Sequence, residues 1–389
     1  MEIHSNIKVL RWFNFFSDFK LYAPIAIIYF SHVTGSFTLG MSIFSIAMVS
    51  TALFEIPTGI FSDRIGRRKT VIWGAFAAVL FTTFYAIGHS FWILAIGAVF
   101  EGLSRSFYSG NNDALLHDTL AQYQNEAQYS ESLGKVSTLL QIAQGVSAVL
   151  GGILATWSFP LIMWLSVVPQ IVCLFLAFNL IEPIIHANES GNIYLHLKEA
   201  YGKFLHNRKL RLLSLSSIIG YGFGDASYKF VPAFYNTLWP VWAIGIVGTL
   251  SSITGALSFH FSGKLIHKFG ALKIMFTDYI SNRVANIVAA AFPTVLSPLL
   301  MSSTSVFLGV ATVAKSTLMQ KEFDNEQRAT MGSINSFAGN ILFGLVSFLL
   351  GFIADSLSPA KAILLLQIVL LVNFFIYWKL FRHDTKNVV

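Results

Sequence analysis

The sequence predicts an all-α integral membrane protein with about twelve transmembrane helices, arranged as two pseudo-symmetric six-helix bundles. Three observations carry that expectation: an apolar composition, a series of bilayer-length apolar runs with basic clusters in alternate loops, and an internal duplication. Of the 389 residues, 54% are hydrophobic and only 12% are charged, and the mean hydropathy is +0.63. Soluble proteins carry about 25% charged residues, and a water-soluble core stops growing at roughly 250–300 residues. The surplus apolar surface therefore has to face lipid.

A spanning helix needs about 20 predominantly apolar residues. Such runs fall at roughly 11–33, 38–61, 70–88, 91–112, 132–156, 159–182, 211–235, 240–263, 272–292, 298–318, 331–355 and 360–381. Turn residues separate them, as at Gly35-Ser36, Gly88-His89, Ser158-Phe159-Pro160 and Trp239-Pro240. The first run follows His4, Lys8 and Arg11 with no small-residue cleavage site, so it reads as a retained helix and not as a removed signal. The longest polar stretch, roughly 182–209, holds Pro183, a polar turn at 188–192 and a basic segment, Tyr194–Lys209, that reads as helix. It divides the chain into bundles at 1–182 and 211–389, joined by a central loop at 183–210. The single cysteine, Cys173, lies in an apolar run and reads as a packing residue.

The net charge of +7 needs a location before an interpretation. Lys and Arg cluster in every second loop (Arg64, Arg67, Arg68 and Lys69; Arg208, Lys209 and Arg211; Lys264, Lys268 and Lys273), while the intervening loops carry almost none. This is the positive-inside pattern, and it predicts that both termini are cytoplasmic. Topology thus accounts for the basic charge, and a nucleic-acid partner is not expected. The ten histidines are scattered, and no metal-ligand, nucleotide-binding or Ser/His/Asp arrangement stands out, so no cofactor, metal or catalytic centre is expected.

The halves repeat one another. The segment Gly59–Gly66 after the second run aligns with Gly263–Gly270 after the eighth. Gly145 and Gly152 of the fifth run align with Gly344 and Gly351 of the eleventh, and Asp18 and Pro24 have counterparts in Asp225 and Pro232. Three pairs in one order argue for duplication of a six-helix unit. Such repeats are typical of secondary transporters, which bind substrate between the halves near the bilayer midplane.

The most specific segment is Gly59-Ile60-Phe61-Ser62-Asp63-Arg64-Ile65-Gly66-Arg67-Arg68-Lys69. It resembles the signature loop of the major facilitator superfamily, G-x-x-x-D-R-x-G-R-R, and lies between the second and third runs as it does in that family. The resemblance extends over the chain in length, helix number, duplication and central loop. It implies the MFS fold, a monomer, and a gating role for Gly59, Asp63, Arg64, Gly66, Arg67 and Arg68, which would latch the cytoplasmic side when the transporter faces outward. Small Gly59 would admit a neighbouring helix, Gly66 would supply the turn, and Asp63 could pair with Arg67 or Arg68 or accept from a helix N-terminus. Alternatively, the basic residues of the loop only enforce topology.

Charges at bilayer depth mark functional sites by default. Here they are Asp18, Lys20, Glu55, Glu101, Arg105, Asp225, Lys229, Asp278, Arg283 and Lys315. Glu101 and Arg105 are four residues apart, as are Asp225 and Lys229, so each pair shares a helix face. The resemblance implies that the first, fourth, seventh and tenth helices line the cavity, which places Asp18, Arg105, Asp225 and Lys229 on cavity helices. Each carboxylate could carry a proton or form a fixed bridge. Asp278 and Arg283 are five apart, roughly 140° around a helix, and read as packing residues. Asp18, Lys20 and Lys315 are expected near the cytoplasmic interface, where snorkelling is cheap. Glu55 stands about 12 Å deeper than Asp63 and could be a gate residue, a proton carrier or a packing acid. Phe54–Gly59 and Ser109–Asp118 look like bacterial drug-efflux members.

Two features depart from that branch. Arg105 and Gly110 are five apart where the family motif has four, and Ser147-Ala148 stands where the antiporter motif needs Gly-Pro. Two transport expectations therefore stay open: proton-coupled export of an amphipathic or drug-like compound, and proton-coupled uptake of a small polar or charged solute. A membrane enzyme or sensor is the third, unsupported alternative. The short loops and lean termini resemble bacterial members, which suggests an inner (plasma) membrane.

Overall fold

In a computed structural model, residues 2–124, 128–184, 207–322 and 328–386 are described. Among them 88% of the chain is helix and no strand occurs. The helices are α1 (Glu2–Asp18), α2 (Ala26–Thr34), α3 (Phe37–Ile65), α4 (Arg67–Ile87), α5 (Phe91–Tyr108), α6 (Asn111–Gln122), α7 (Tyr129–Ala155) and α8 (Phe159–Phe178), followed by α9 (Arg208–Ile219), α10 (Ala226–Tyr235), α11 (Val241–Phe269), α12 (Ala271–Ala291), α13 (Ser297–Ser303), α14 (Ser305–Glu322), α15 (Arg328–Ser356), α16 (Pro359–Leu370) and α17 (Val372–Lys386). Most of the central loop, with the segment 194–206, lies outside the described residues.

Eight of these helical stretches are long and apolar enough to cross a membrane. The predicted runs outside that set are broken or loaded with charge. The first breaks after Asp18 and resumes through a 3-10 turn at Ala23–Ile25, the seventh is interrupted by a π turn at Gly220–Asp225, and α5 and α12 carry Glu101, Arg105, Asp278 and Arg283. Local chemistry sets the boundaries. Ser36, Ser90 and Ser158 each accept the backbone N–H three residues on, the N-cap arrangement that satisfies an otherwise orphaned donor. Gly35 and Gly88 end their helices in the left-handed conformation.

The chain forms two units, 1–188 with 239–253 and 189–238 with 254–389. In the first, Ile7, Leu10 and Phe13 of α1 pack with Val71 and Ala75 of α4, Leu115, Leu116 and Leu120 of α6, and Cys173 and Ala177 of α8. Cys173 is buried and donates to the Phe13 carbonyl at 3.3 Å. The second has a core from the corresponding elements: Leu213 of α9, Ile274 and Met275 of α12, Val310, Ala314 and Leu318 of α14, and Leu380 of α17. The repeated loop also recurs as backbone, since Gly66 (φ 97°, ψ 161°) and Gly270 (φ 82°, ψ 143°) adopt nearly the same conformation.

The glycines of α7 make close contacts, as a small-residue face allows. A side chain at Gly151 would strike the Leu21 carbonyl oxygen, so α7 lies directly against the break between α1 and α2. One at Gly152 would meet Gly245 at 2.9 Å, and the Thr249 hydroxyl donates to the Gly145 carbonyl at 2.8 Å.

Candidate functional site

The signature loop is held by its own unit. The turn at Gly66 starts α4 without a side-chain cap, leaving N–H groups that need an acceptor. Glu182, just beyond α8, supplies it: its two carboxylate oxygens accept from the backbone N–H of Arg67 at 2.7 Å and of Arg68 at 2.8 Å. A carboxylate suits a helix N-terminus because it also faces the positive end of the dipole. Any side chain at Gly66 would strike that carboxylate, within 2.7 Å. Arg67 reaches Ser62 at 3.1 Å and Asp118 at 3.6 Å. Ser62 donates to Asn111, whose amide donates to the Arg67 carbonyl. Arg68 donates to the Phe178 carbonyl at 2.8 Å, and buried Asn6 bonds Thr119 and both backbone groups of Ile181. The ends of five helices, α1, α3, α4, α6 and α8, thus meet in one polar cluster.

The acceptor found at the start of α4 is Glu182; the Asp63 side chain, expected in that neighbourhood, lies outside the described residues. Around Gly59, expected to admit a neighbouring helix, nothing among the described residues stands within 4 Å of where its side chain would be. Arg64 and Lys69 are exposed, whereas Arg67 and Arg68 are engaged.

The second cluster lies deep in the same unit. Buried Glu101 accepts two hydrogen bonds at Oε1, from Arg105 Nε at 2.9 Å and Nη2 at 2.8 Å, and one at Oε2 from Tyr85 at 2.7 Å. Gly97 lets the Tyr85 ring lie on α5, since a side chain there would meet it at 2.8 Å. Phe30, Phe81 and Tyr22 surround that ring with centroids 5.0–5.8 Å away. Lys20 stands in the break after α1 with its ammonium 5.5 Å from the Phe81 ring centre, and its charge acts on Glu101. Phe81 is about 21 Å along α4 from Arg67 at 1.5 Å per residue. Lys20 and its neighbour Asp18 are therefore not interfacial, contrary to expectation. Because α1 starts at Glu2, it has risen about 24 Å by Asp18 at 1.5 Å per residue, which brings the break to depth.

Glu55 is half-buried, with Ser109 3.5 Å from Oε1 and no hydrogen-bond partner for Oε2 among the described residues. In the second unit, Asp225 closes the π turn and Lys229 lies 6.0 Å from the Tyr228 ring centre. Lys315 is not interfacial either: its ammonium would lie 3.7 Å from a side chain at Gly220, and Asp225 and Asp278 both act on it electrostatically. Arg283 donates to Gln367 and, at 2.8 Å, to Asn282, while Gln367 donates to Ser227 at 3.1 Å. This ties α12, α16 and α10 together, the packing role expected of Arg283.

Sequence reasoning missed Glu182, Asn111, Asp118, Ser62, Tyr85 and Gln367. Glu182 had a readable signal, as the last acid of the sixth run opposite an uncapped α4 start. Ser62, Asn111 and Asp118 lie inside the two family-like segments with no role expected of them, and Tyr85 and Gln367 carry no signal apart from their polarity.

Among the described residues no cluster of His, Cys, Asp and Glu could hold a metal ion. A membrane-spanning bundle with an interrupted first span, a repeated glycine turn and a buried carboxylate–arginine pair defines a polytopic transporter architecture. The Major Facilitator Superfamily matches residues 10–311, and the chain belongs to that family. A Bacillus subtilis relative, the uncharacterized MFS-type transporter YxaM, is 21% identical over 378 residues, 92% of this chain and 91% of its own. A Na(+), Li(+), K(+)/H(+) antiporter of Planococcus maritimus is 22% identical over 71% of this chain and 67% of its own. An uncharacterized transporter of Buchnera aphidicola subsp. Acyrthosiphon pisum is 30% identical, but over 36% of this chain; the chain covers 34% of that relative, and 49% of a second Buchnera transporter. The crystal structure of a point mutant of the nucleoside transporter NupG superposes with TM-score 0.80 at 12% identity, over 97% of this chain and 100% of that one. That likeness establishes the MFS fold.

Proposed function

We propose that the chain is a proton-coupled secondary transporter of a small molecule, in which Glu101 carries the proton and Arg105 and Tyr85 control its release. The observation that carries this reading is a buried carboxylate at bilayer depth with both oxygens engaged, one by a cation and one by a phenol. Protonating Glu101 removes the charge that holds Arg105, so a proton at one atom frees a guanidinium for another partner. A fixed bridge has no need of a side chain that stays 38% exposed, as that of Arg105 does.

Export in exchange for protons is the direction in keeping with the antiporter relative, and 36 Phe residues suit an amphipathic compound. Uptake together with a proton is the second reading, favoured by Lys20, an extra cation beside the pair. The signature loop, with Glu182, Arg67 and Asp118, is the gate at the cytoplasmic end, in a monomer in the inner membrane with both termini inside.

The test is proton movement in proteoliposomes under an imposed pH gradient, with a panel of lipophilic cations, antibiotics, sugars and organic acids. A compound should dissipate the gradient with wild type and not with Glu101→Gln, although the variant still binds it. Proton movement retained in Glu101→Gln would reduce the pair to a structural bridge.

A further inference from the structure

We infer that Lys20 and Arg105 form an anion subsite in the first unit, and that the transported solute is a small organic anion, a carboxylate or a phosphate ester. The inference rests on the proton-carrying role of Glu101 and adds the chemistry of the solute.

The ammonium of Lys20 sits at depth with the Phe81 ring beneath it. Among the described residues it has no hydrogen-bond or ion-pair partner. Asp18, two residues away, makes no ion pair with it within 4.0 Å. Glu101 already accepts three hydrogen bonds from Arg105 and Tyr85, and Tyr22, packed on the Tyr85 ring, is a phenol. Lys20 is half-buried, and an aromatic face gives a cation less than a charge-assisted hydrogen bond to an anion does. A bound anion would supply that bond. The subsite is also rigidly placed, because the Leu21 carbonyl next to Lys20 abuts Gly151 and cannot move toward α7.

The arrangement gives the coupling its sign. With Glu101 ionised, its charge opposes an incoming anion and occupies Arg105. Once Glu101 is protonated, Lys20 and Arg105 face the anion together. Proton and anion therefore favour each other's binding, which is the sign of uptake together with a proton and not of exchange, and by linkage the effect is reciprocal.

The experiment measures binding to purified full-length protein in detergent at fixed ionic strength, by tryptophan fluorescence. The probes are benzoate, succinate and glycerol 3-phosphate, with benzamide as an uncharged control. At least one anion should bind wild type more tightly than benzamide does and tighten further as the pH falls. Lys20→Gln should weaken that anion tenfold or more and leave benzamide unchanged, while Lys20→Arg stays within about threefold of wild type. Glu101→Gln should bind it about tenfold tighter at neutral pH and lose the pH dependence. Benzoate and succinate against glycerol 3-phosphate separate the two anion classes. Equal binding of anions and benzamide, or an unaltered anion affinity in Lys20→Gln, overturns the subsite. A pH-independent anion affinity in wild type with Lys20→Gln still weakened would instead keep the subsite and sink Glu101 as the coupled proton carrier.

Discussion

Tyr85 is the neutral donor on Glu101, and its ring is locked by three aromatic neighbours and by the absent side chain of Gly97. Removing its hydroxyl leaves Oε2 of a buried carboxylate without that partner. Hydrogen bonds to charged groups contribute about 1.5–3 kcal/mol, so Tyr85→Phe should lower the melting temperature of the purified protein. Adding Glu101→Gln to Tyr85→Phe should recover part of the loss, because the charge that needed the donor is gone. Thermal unfolding of the two single variants and the double variant checks this; simple additivity would show that the hydroxyl and the carboxylate are not coupled. At this scale the sequence was half legible. The four-residue spacing of Glu101 and Arg105 announces their pairing, since it holds on any helix. Nothing in the spacing of Tyr85 points to Glu101, because that contact depends on how α4 and α5 pack.

The interrupted first span and the capped start of α4 are where whole elements depend on distant residues. Glu182 closes two N–H groups of α4 from 114 and 115 residues away. Glu182→Ala should cost about 1–2 kcal/mol, as lost N-caps do, and should speed hydrogen exchange at the Arg67 and Arg68 amides while leaving the middle of α4 protected. Exchange that stays slow at both amides would mean that the carboxylate is not their acceptor in solution. Gly151→Val tests the break itself. A side chain there would strike the Leu21 carbonyl oxygen, so α7 or the break must shift, and overpacking of this kind costs roughly 1–3 kcal/mol. A melting temperature equal to wild type would show that α7 does not lie against Leu21. The helices themselves were readable from apolar runs, serine caps and glycine stops. The break was not, because a run counted as one continuous helix over 11–33 gives no sign of a helix that starts at Glu2 and stops at Asp18.

Across the molecule, duplication supplies two versions of one loop, and the versions differ in what surrounds them. Gly66 and Gly270 share a backbone conformation that is nearly closed to other residues, and placing a side-chain-bearing residue there costs of order 1–3 kcal/mol. The repeat was visible in the sequence because the turn needs glycine in both halves. Its asymmetry was not, because the Glu182 carboxylate that fills the space over Gly66 comes from the far end of the first bundle. Among the described residues, a side chain at Gly270 would meet nothing within 4 Å, whereas one at Gly66 would meet the carboxylate at 2.7–2.9 Å. Gly270→Ala should therefore show backbone strain alone. Gly66→Ala should show that strain plus displacement of the cap, and should destabilise the protein by about 1–2 kcal/mol more, the worth of an N-cap. In a Glu182→Ala background the extra loss at Gly66 should vanish, making the two alanine variants equivalent in thermal unfolding. If Gly66→Ala remained the worse of the two there, the asymmetry would have to arise in the turn and not in its capping.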